Sequence, residues 1–251
     1  EAYGNLDKDR NAMFLECINM VLDIWKGQPP YDLKGEFFSV TTGKTMIPEI
    51  GQGEIPKPFQ APHPPIVGTV VAPFSKGITA MAARGWEAIS GNFLLPKWVA
   101  THWPKYVEGC EIGGRKADPA NWRIAKNICV AEDMATAKRY AREPGSPYHL
   151  YYSQLLTKMR KGGRLNLFKQ DQEMPDDEVT LDYVLDKLVI HGDPSSVADQ
   201  VLAFREETGD FGHLVYAGHD WTDYDLGRNS MILMAEKVMP KINDALKAEA
   251  A

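Results

Sequence analysis

The residues best placed to bind an anion form the turn Val71-Ala72-Pro73-Phe74-Ser75-Lys76-Gly77, which leaves an apolar stretch and opens a helical one. If a helix begins here, the backbone N–H groups of Lys76, Gly77 and Ile78 point outward at its start, where the helix dipole favours negative charge. With the Ser75 hydroxyl and the Lys76 ammonium, they make a competent phosphate site. The alternative is that Ser75 only caps the helix, and the pattern alone leaves both interpretations open.

Two further segments carry polar and aromatic residues where predicted strands end. Asn92 and Phe93 follow one strand, and His219 and Trp221 follow another. In a barrel, residues at the C-terminal ends of strands line the active site, so we expect these four to face a substrate pocket. His219 beside Asp220 resembles a base and its orienter, although neighbouring strand residues point to opposite faces, and a structural role for His219 stays open.

An insertion over residues 143–186 supplies a possible pocket wall. Its stretch from Tyr148 to Leu156 is aromatic and apolar and includes Tyr151 and Tyr152, and a basic, glycine-containing stretch follows. Long insertions after a barrel strand often form lids, which would place both tyrosines in the substrate pocket. A helical excursion packed on the exterior is the equal alternative.

The remaining histidines give no catalytic pattern. We interpret His63, His191 and His213 as structural, and His102 and His149 as solvent-facing or lid residues. The sequence contains no H-E-x-x-H helix and no Walker loop, and its three cysteines lack metal or disulfide spacing. Hydrolytic and metal chemistries therefore have no positive support.

Composition restricts the partners and the compartment. The net charge is -6 at pH 7, which argues against nucleic-acid and anionic-membrane surfaces, since both require clustered Lys and Arg. No apolar run approaches the roughly 20 residues needed to cross a bilayer. Small neutral ligands and a reducing cytoplasm are the expectations that fit best.

The elements that must position these residues alternate between strand and helix. We predict four core strands, at residues 65–71, 86–90, 123–130 and 211–217, the first of them buried on both faces, within one domain over residues 1–251. Residues 41–65 form a long ordered loop, and helices are predicted from Asp7 to Trp25 and from Asp193-Pro194 onward, where the carboxylate is the N-cap and the proline the first helical residue. Alternation of this kind predicts a parallel sheet with right-handed crossovers. Four strands fit an open Rossmann-like sheet, but no strand is followed by G-x-G-x-x-G, the motif of dinucleotide-binding sheets. A closed parallel barrel needs eight strands.

The order of several segments resembles the bacterial luciferase-like flavin-dependent monooxygenases, and especially their limonene- and diketocamphane-monooxygenase-like branch. The segments that carry the resemblance are Leu22-Asp23-Ile24-Trp25, Gln60-Ala61-Pro62-His63-Pro64-Pro65-Ile66, Leu188-Val189-Ile190-His191-Gly192-Asp193-Pro194 and Phe211-Gly212-His213-Leu214-Val215-Tyr216-Ala217-Gly218-His219-Asp220-Trp221. The resemblance implies an α/β fold of the TIM-like (β/α)8 barrel type. Placed in the family order, the four predicted strands are strands five to eight, and we expect strands one to four to be missing from this chain.

The same resemblance implies a cofactor and partners. Family members use reduced FMN, supplied by a separate flavin reductase, and O2 to insert one oxygen atom into a small hydrophobic substrate, and they are usually homodimers. Ser75 matches the family's phosphate-binding serine, with the amides of Gly77 and Ile78 as companions. Phe74 and Lys76 depart from the commonest residues there. The positions that would lie near the isoalloxazine ring are Gly68, Thr69 and Val70.

Two other functions remain open. A deazaflavin (F420)-dependent oxidoreductase on the same fold would transfer hydride without O2. A non-catalytic subunit would instead stabilise an active homologue. The catalytic residues of the family belong to the first four strands, so none is assigned here.

Overall fold

A computed structural model describes residues 1–219 and 221–249. The chain divides into two compact units, residues 1–65 and 66–251. The expectation of a single domain over residues 1–251 stays a prediction. In the described part of the chain, no helix is both long and apolar enough to cross a membrane.

The first unit is a helix and a small antiparallel hairpin. Its elements are α1 (Arg10–Lys26), β1 (Asp32–Lys34) and β2 (Ser39–Thr41). Helix α1 begins three residues later than the apolar pattern predicted, because the Asp9 carboxylate accepts the N–H groups of Asn11 and Ala12 and fixes the start there. The Glu16 carboxylate accepts the backbone N–H groups of residues 36–38 and so holds the hairpin loop against the helix.

The second unit contains a parallel sheet. Its strands are β3 (Val67–Val70), β4 (Glu87–Ser90), β5 (Trp122–Val130), β6 (Val189–Gly192) and β7 (His213–Tyr216). The nine-residue strand β5 is the centre of the sheet, because it pairs in parallel with β4, β6 and β7. The prediction of four core strands was therefore wrong by one. Strand β6 was missed.

Strand β3 corrects a second expectation, that the first core strand is buried on both faces. Only Val70 is buried, while Val67 and Thr69 on the alternate face are exposed. The reason is that one face of β3 packs on a helix, since Val70 clusters with Ile78 and Ala82, while the side chains of Val67 and Thr69 point to the alternate face.

Helices flank the sheet. They are α2 (Lys76–Ala83), α3 (Pro96–Val99), α4 (His102–Ile112), α5 (Met134–Arg142), α8 (Pro194–Thr208), α9 (Tyr224–Leu233) and α10 (Met239–Glu249), the last two joined by a π-helical segment, Met234–Val238. The predicted start of α8 is confirmed: the Asp193 carboxylate accepts the N–H of Ser196, and Pro194 is the first helical residue.

The insertion is a packed helical layer. It contains α6 (Pro147–Lys161), a 3-10 turn (Leu165–Leu167) and α7 (Leu181–Leu188). Tyr148, Tyr152 and Leu156 of α6 are buried in one apolar cluster with Val184 and Leu188 of α7. Burial on this scale favours the packed alternative for most of the insertion, since a lid must open with little loss of apolar contact.

Candidate functional site

The turn after β3 places a helix N-terminus at the carboxyl edge of the sheet. Ser75 is the residue before α2, and its side chain makes no capping hydrogen bond within the described structure. The hydroxyl is therefore not occupied by the role that the alternative interpretation gave it. A Cβ on Gly77 would lie 3.3 Å from the Ser75 Oγ, so glycine keeps the space beside this hydroxyl open. A hydroxyl and first-turn amides form a donor set that fits a phosphate.

Two consecutive residues hold this turn. The Thr101 Oγ1 accepts the N–H of Phe74 at 2.9 Å, and the His102 Nε2 donates to the carbonyl oxygen of Ala72 at 3.0 Å. Phe74 has a φ of 51°, a left-handed conformation that disfavours a bulky residue. The two bonds flank Pro73, which has no N–H, and keep the chain in this conformation.

His102 belongs to a buried hydrogen-bond network. Its Nδ1 accepts from the Ser90 hydroxyl at 2.9 Å, and the Ser90 Oγ accepts from the indole N–H of Trp122 at 3.0 Å. His102 and Ser90 are fully buried, and burial lowers the pKa of His102 to about 4. The expectation that His102 faces solvent or a lid was wrong, because the break between α3 and α4 turns the ring into the core.

A second polar network centres on Asn127, which is fully buried in β5. The Asn127 Oδ1 accepts from the Asn92 Nδ2 at 2.7 Å and from the Tyr152 hydroxyl at 2.8 Å. Its Nδ2 donates to the carbonyl oxygen of Ala217 at 2.9 Å and to the His219 Nε2 at 2.7 Å. The network thus joins the ends of β4, β5 and β7 to α6. Burial raises the pKa of Tyr152 well above its ordinary value, so this phenol stays protonated.

His219 borders a cavity of about 230 Å³. Its ring lies 4.5 Å from that of Tyr151 and meets the ring of Tyr148 edge-on at 5.8 Å. The walls are mostly apolar and combine the start of α6 with the segment after β7: Pro147, Leu150, Tyr151, Gln154, His219 and Thr222. Small apolar pockets with a few convergent polar groups are typical ligand sites. Asp220 lies outside the described residues, so the suggested base-orienter pair is untested.

The structure brings some predicted pocket residues together and separates others. Asn92, Tyr151 and Tyr152 join the Asn127 network, with the Tyr151 hydroxyl 3.3 Å from the Asn92 Nδ2. Phe93 packs against the apolar core. The ring of Trp221 lies 5.2 Å, between centroids, from the ring of Tyr224 at the start of α9, and Trp221 does not line the cavity.

The three predicted isoalloxazine residues alternate across β3. Thr69 is exposed on the uncovered face of the sheet. Val70 is buried toward α2, and a Cβ on Gly68 would lie 1.9 Å from the Met81 sulfur of that helix. The absence of a side chain at Gly68 is therefore required for helix packing.

Sequence reasoning missed Asn127 and its neighbour Lys126. Both interrupt an apolar strand, and both are buried on opposite faces of β5. A polar pair inside a strand that is otherwise apolar was the available signal, because a buried amide must find hydrogen-bond partners. Among the described residues, no group of His, Cys, Asp or Glu could hold a metal ion.

Residues 1–210 match the family model described as luciferase-like monooxygenase. The chain belongs to this family. The resemblance found in the sequence is therefore confirmed, and the observed parallel sheet with flanking helices is the luciferase-like α/β fold. A closed barrel is not present in the described residues.

Named relatives of this luciferase-like chain are oxygenases and a dehydrogenase. It is 23% identical over 244 residues to 3,6-diketocamphane 1,6-monooxygenase of Pseudomonas putida, covering 95% of this chain and 64% of that protein. The FMN complex of the oxygenating constituent of 3,6-diketocamphane monooxygenase from the same organism, a type II Baeyer-Villiger monooxygenase, has a TM-score of 0.79 at 23% identity, over 95% of this chain and 65% of that one.

A third luciferase-like relative uses a different cofactor. An F420-dependent secondary alcohol dehydrogenase, solved with an F420-acetone adduct, has a TM-score of 0.56 at 17% identity and covers 93% of this chain and 62% of that one. The fold alone therefore does not select between FMN and F420. This chain spans less than two thirds of the length of the protein from Pseudomonas putida to which it was aligned.

Proposed function

We propose that this chain serves a flavin-dependent monooxygenase that uses reduced FMN and O2 to insert one oxygen atom into a small hydrophobic organic substrate. The observation that carries the proposal is that an uncapped helix start at Ser75 and an apolar cavity beside His219 both follow the carboxyl ends of strands of one parallel sheet. Ligands of open parallel sheets bind beyond these ends. Family membership supports the flavin assignment.

In this proposal, the turn after β3 binds the phosphate of FMN. The Ser75 hydroxyl and the amides of Lys76, Gly77 and Ile78 would donate to its oxygens. The exposed side chain of Thr69 and the backbone of Gly68 and Val70 would lie along the ring. Bound reduced FMN would supply the reaction with O2. The residues of this chain would bind and orient the flavin and the substrate. Thr101 and His102 fix the turn that binds the phosphate. Tyr151, Leu150 and Pro147 line the cavity and would exclude water from it.

We also propose that β3, β4, β5 and β7 form part of a barrel wall and correspond to strands five to eight. They are parallel and adjacent in this order, and the exposed side chains of Val67 and Thr69 lie on a face that a closed barrel would bury. Strand β6 pairs with residues 127–130 of β5, whereas β4 pairs with residues 122–124 of the same strand. A reductase partner and a homodimer follow from the resemblance, and the cytoplasm follows from the composition; all three stay predictions.

The reaction is tested with isotopic oxygen. The protein in which this chain is completed by strands one to four is mixed with photoreduced FMN, 18O2 and a panel of small cyclic hydrocarbons, terpenes and ketones, and the products are analysed by mass spectrometry. We expect one 18O atom per product molecule, and none when FMN is omitted. Substrate oxidation that proceeds without O2 and requires oxidised F420 as the hydride acceptor would replace the proposal with the deazaflavin alternative.

A further inference from the structure

Lys126 is a buried cation in the middle of β5. The residue is 2% exposed, and its Nζ lies 4.8 Å from the centroid of the Phe204 ring on α8. Over residues 1–219 and 221–249, the ammonium makes no hydrogen bond and no ion pair. Buried charges in proteins are ordinarily paired, because an ammonium outside water loses most of its solvation. The absence of a partner among these residues therefore requires an explanation.

Lys126 lines a cavity of about 180 Å³. The apolar part of the wall comes from the start of α3, the start of β6 and the side of α8, and it includes Pro96, Val189, Ile190 and Phe204. The cavity shares no lining residue with the one beside His219, so the two are separate. A buried, unpaired ammonium that reaches a cavity with apolar walls is a candidate ligand site.

Strand β5 presents Lys126 and Asn127 to opposite faces of the sheet, because successive residues of a strand alternate. Asn127 joins the network that reaches His219, whereas the ammonium of Lys126 lies against Phe204 of α8. The cavity at Lys126 is thus on the helix side of β5, away from the proposed substrate cavity. A ligand bound there would be separate from the flavin and the substrate, and its binding does not depend on the proposed function.

The other charged residues of the wall do not neutralise Lys126. Asp186 of α7 is bonded to Arg142 at 3.3 Å and lies 3.8 Å from the ammonium of Lys187, and its side chain is 55% exposed. Glu207, near the end of α8, is also exposed. Burial lowers the pKa of Lys126 to about 8, whereas a neighbouring carboxylate would raise it. The ammonium therefore has no counter-charge among the described residues.

A ligand with an anionic group would supply this counter-charge. One ammonium balances one negative charge, and Asp186 and Glu207 disfavour a second, so a monocarboxylate fits better than a phosphate dianion. We propose that Lys126 binds the carboxylate of a small aliphatic acid, whose hydrocarbon part packs against Val189 and Ile190. The volume of about 180 Å³ admits a chain of only a few carbon atoms.

Binding is measured by two-dimensional 1H–13C NMR on the full chain labelled with 13C-lysine, with butyrate as the probe. The Cε signal of Lys126 is assigned by its loss in Lys126→Met. We expect a saturable shift of this signal. We also expect the ammonium to titrate about one pH unit higher with butyrate than without it, because a bound carboxylate stabilises the charged form.

Two further probes separate charge from shape. Butyramide has the shape of butyrate without its charge, and inorganic phosphate has the charge without the hydrocarbon chain. Each should bind at least about tenfold more weakly than butyrate. Equal responses to butyrate and butyramide, or no saturable response to butyrate, would overturn the inference. Tighter binding of inorganic phosphate would overturn the assignment to a carboxylic acid.

The matched control is Lys187→Met, which removes the exposed ammonium that lines the same cavity. The methyl signals of Val189 and Ile190 report binding in every lysine variant. The affinity for butyrate should fall at least about tenfold in Lys126→Met, and in Lys126→Gln if the first variant does not fold, but less than about twofold in Lys187→Met. Undiminished affinity in the Lys126 variants, or equal losses at the two lysines, contradicts the assignment to Lys126.

Discussion

Two histidine networks at one edge of the sheet have different surroundings. His102 is fully buried and bonded to Ser90 and to the carbonyl oxygen of Ala72. His219 is half-buried, bonded to Asn127, and borders a cavity of about 230 Å³. Both imidazoles are held by hydrogen bonds, but only the second can meet a ligand directly.

The difference shows that the surroundings of a histidine, more than its bonds, separate structural from ligand-facing roles. His102 affects a ligand only through the turn that it holds, whereas His219 is part of a cavity wall. A variant at His102 should therefore change stability and the shape of the phosphate turn, and a variant at His219 should change ligand selection with a smaller effect on stability.

The largest effect that this contrast predicts is on folding. His102→Leu removes this partner from the buried Ser90 hydroxyl and from the carbonyl oxygen of Ala72 and alters the packing of a fully buried site, and we expect a loss of about 3 kcal/mol in the free energy of unfolding. His219→Leu leaves a single buried donor, one N–H of Asn127, without its partner and should cost less, about 1 kcal/mol. Urea unfolding of both variants measures the difference. Equal losses would remove the distinction between the two histidines.

The pH dependence of stability gives a second test of the buried network around His102. The folded pKa of His102 is about 4, below the ordinary 6.5, so the unfolded chain takes up a proton that the folded chain rejects. Stability is therefore greatest above pH 6.5 and falls as the pH drops from 6.5 to 4, by about 3 kcal/mol from this group. His102→Gln should flatten this part of the curve. Parallel curves for variant and wild type would contradict the assigned burial.

Lys126 extends the contrast to a buried charge without a comparable polar network. Its side chain is 2% exposed, its ammonium lies 4.8 Å from the ring of Phe204, and burial lowers its pKa to about 8. Since the folded pKa is depressed from 10.5, the charge costs stability at pH 7 and the cost declines between pH 8 and 10.5. Lys126→Met should raise the free energy of unfolding at pH 7 by about 2 kcal/mol.

Thermal unfolding at pH 7 and pH 10.5 measures this effect. Lys76→Met is the control, because it makes the same substitution at an exposed position. The gain from Lys126→Met should shrink at the higher pH. A loss of stability at pH 7 would mean that an interaction of the ammonium outweighs its desolvation.

The smallest effect concerns the uncapped helix start. Ser75→Ala removes a hydroxyl that makes no capping bond, so stability should change by less than about 0.5 kcal/mol. The affinity for FMN should fall about tenfold while that for riboflavin, which lacks the phosphate, stays constant. Fluorescence titrations with both flavins measure this, and Thr157→Ala on α6 is a matched exposed control. Equal losses for both flavins would place Ser75 away from the phosphate.

Local signals predicted much of the fold. Asp193 and Pro194 gave the start of α8 because an N-cap carboxylate and a first-turn proline act within one turn of chain. Strand β6 was missed because it follows α7 directly, and the short apolar run Leu188-Val189-Ile190, with no turn before it, reads equally as helix. Long-range pairing with β5 decides its conformation.

The candidate site was predicted less completely. Ser75 was found because the turn signal is local. Asn127 was missed, since its importance depends on Asn92, Tyr152, Ala217 and His219, which lie 25 to 92 residues away in sequence. The burial of His102 likewise depends on the direction of a helix break, which sequence periodicity does not encode.

Equilibrium binding of FMN, riboflavin and F420 to the wild-type chain tests the central claim most directly. The account predicts that FMN binds at least about tenfold more tightly than riboflavin, because the turn at Ser75 binds its phosphate, and more tightly than F420. Equal affinity for FMN and riboflavin, or tighter binding of F420, would contradict it.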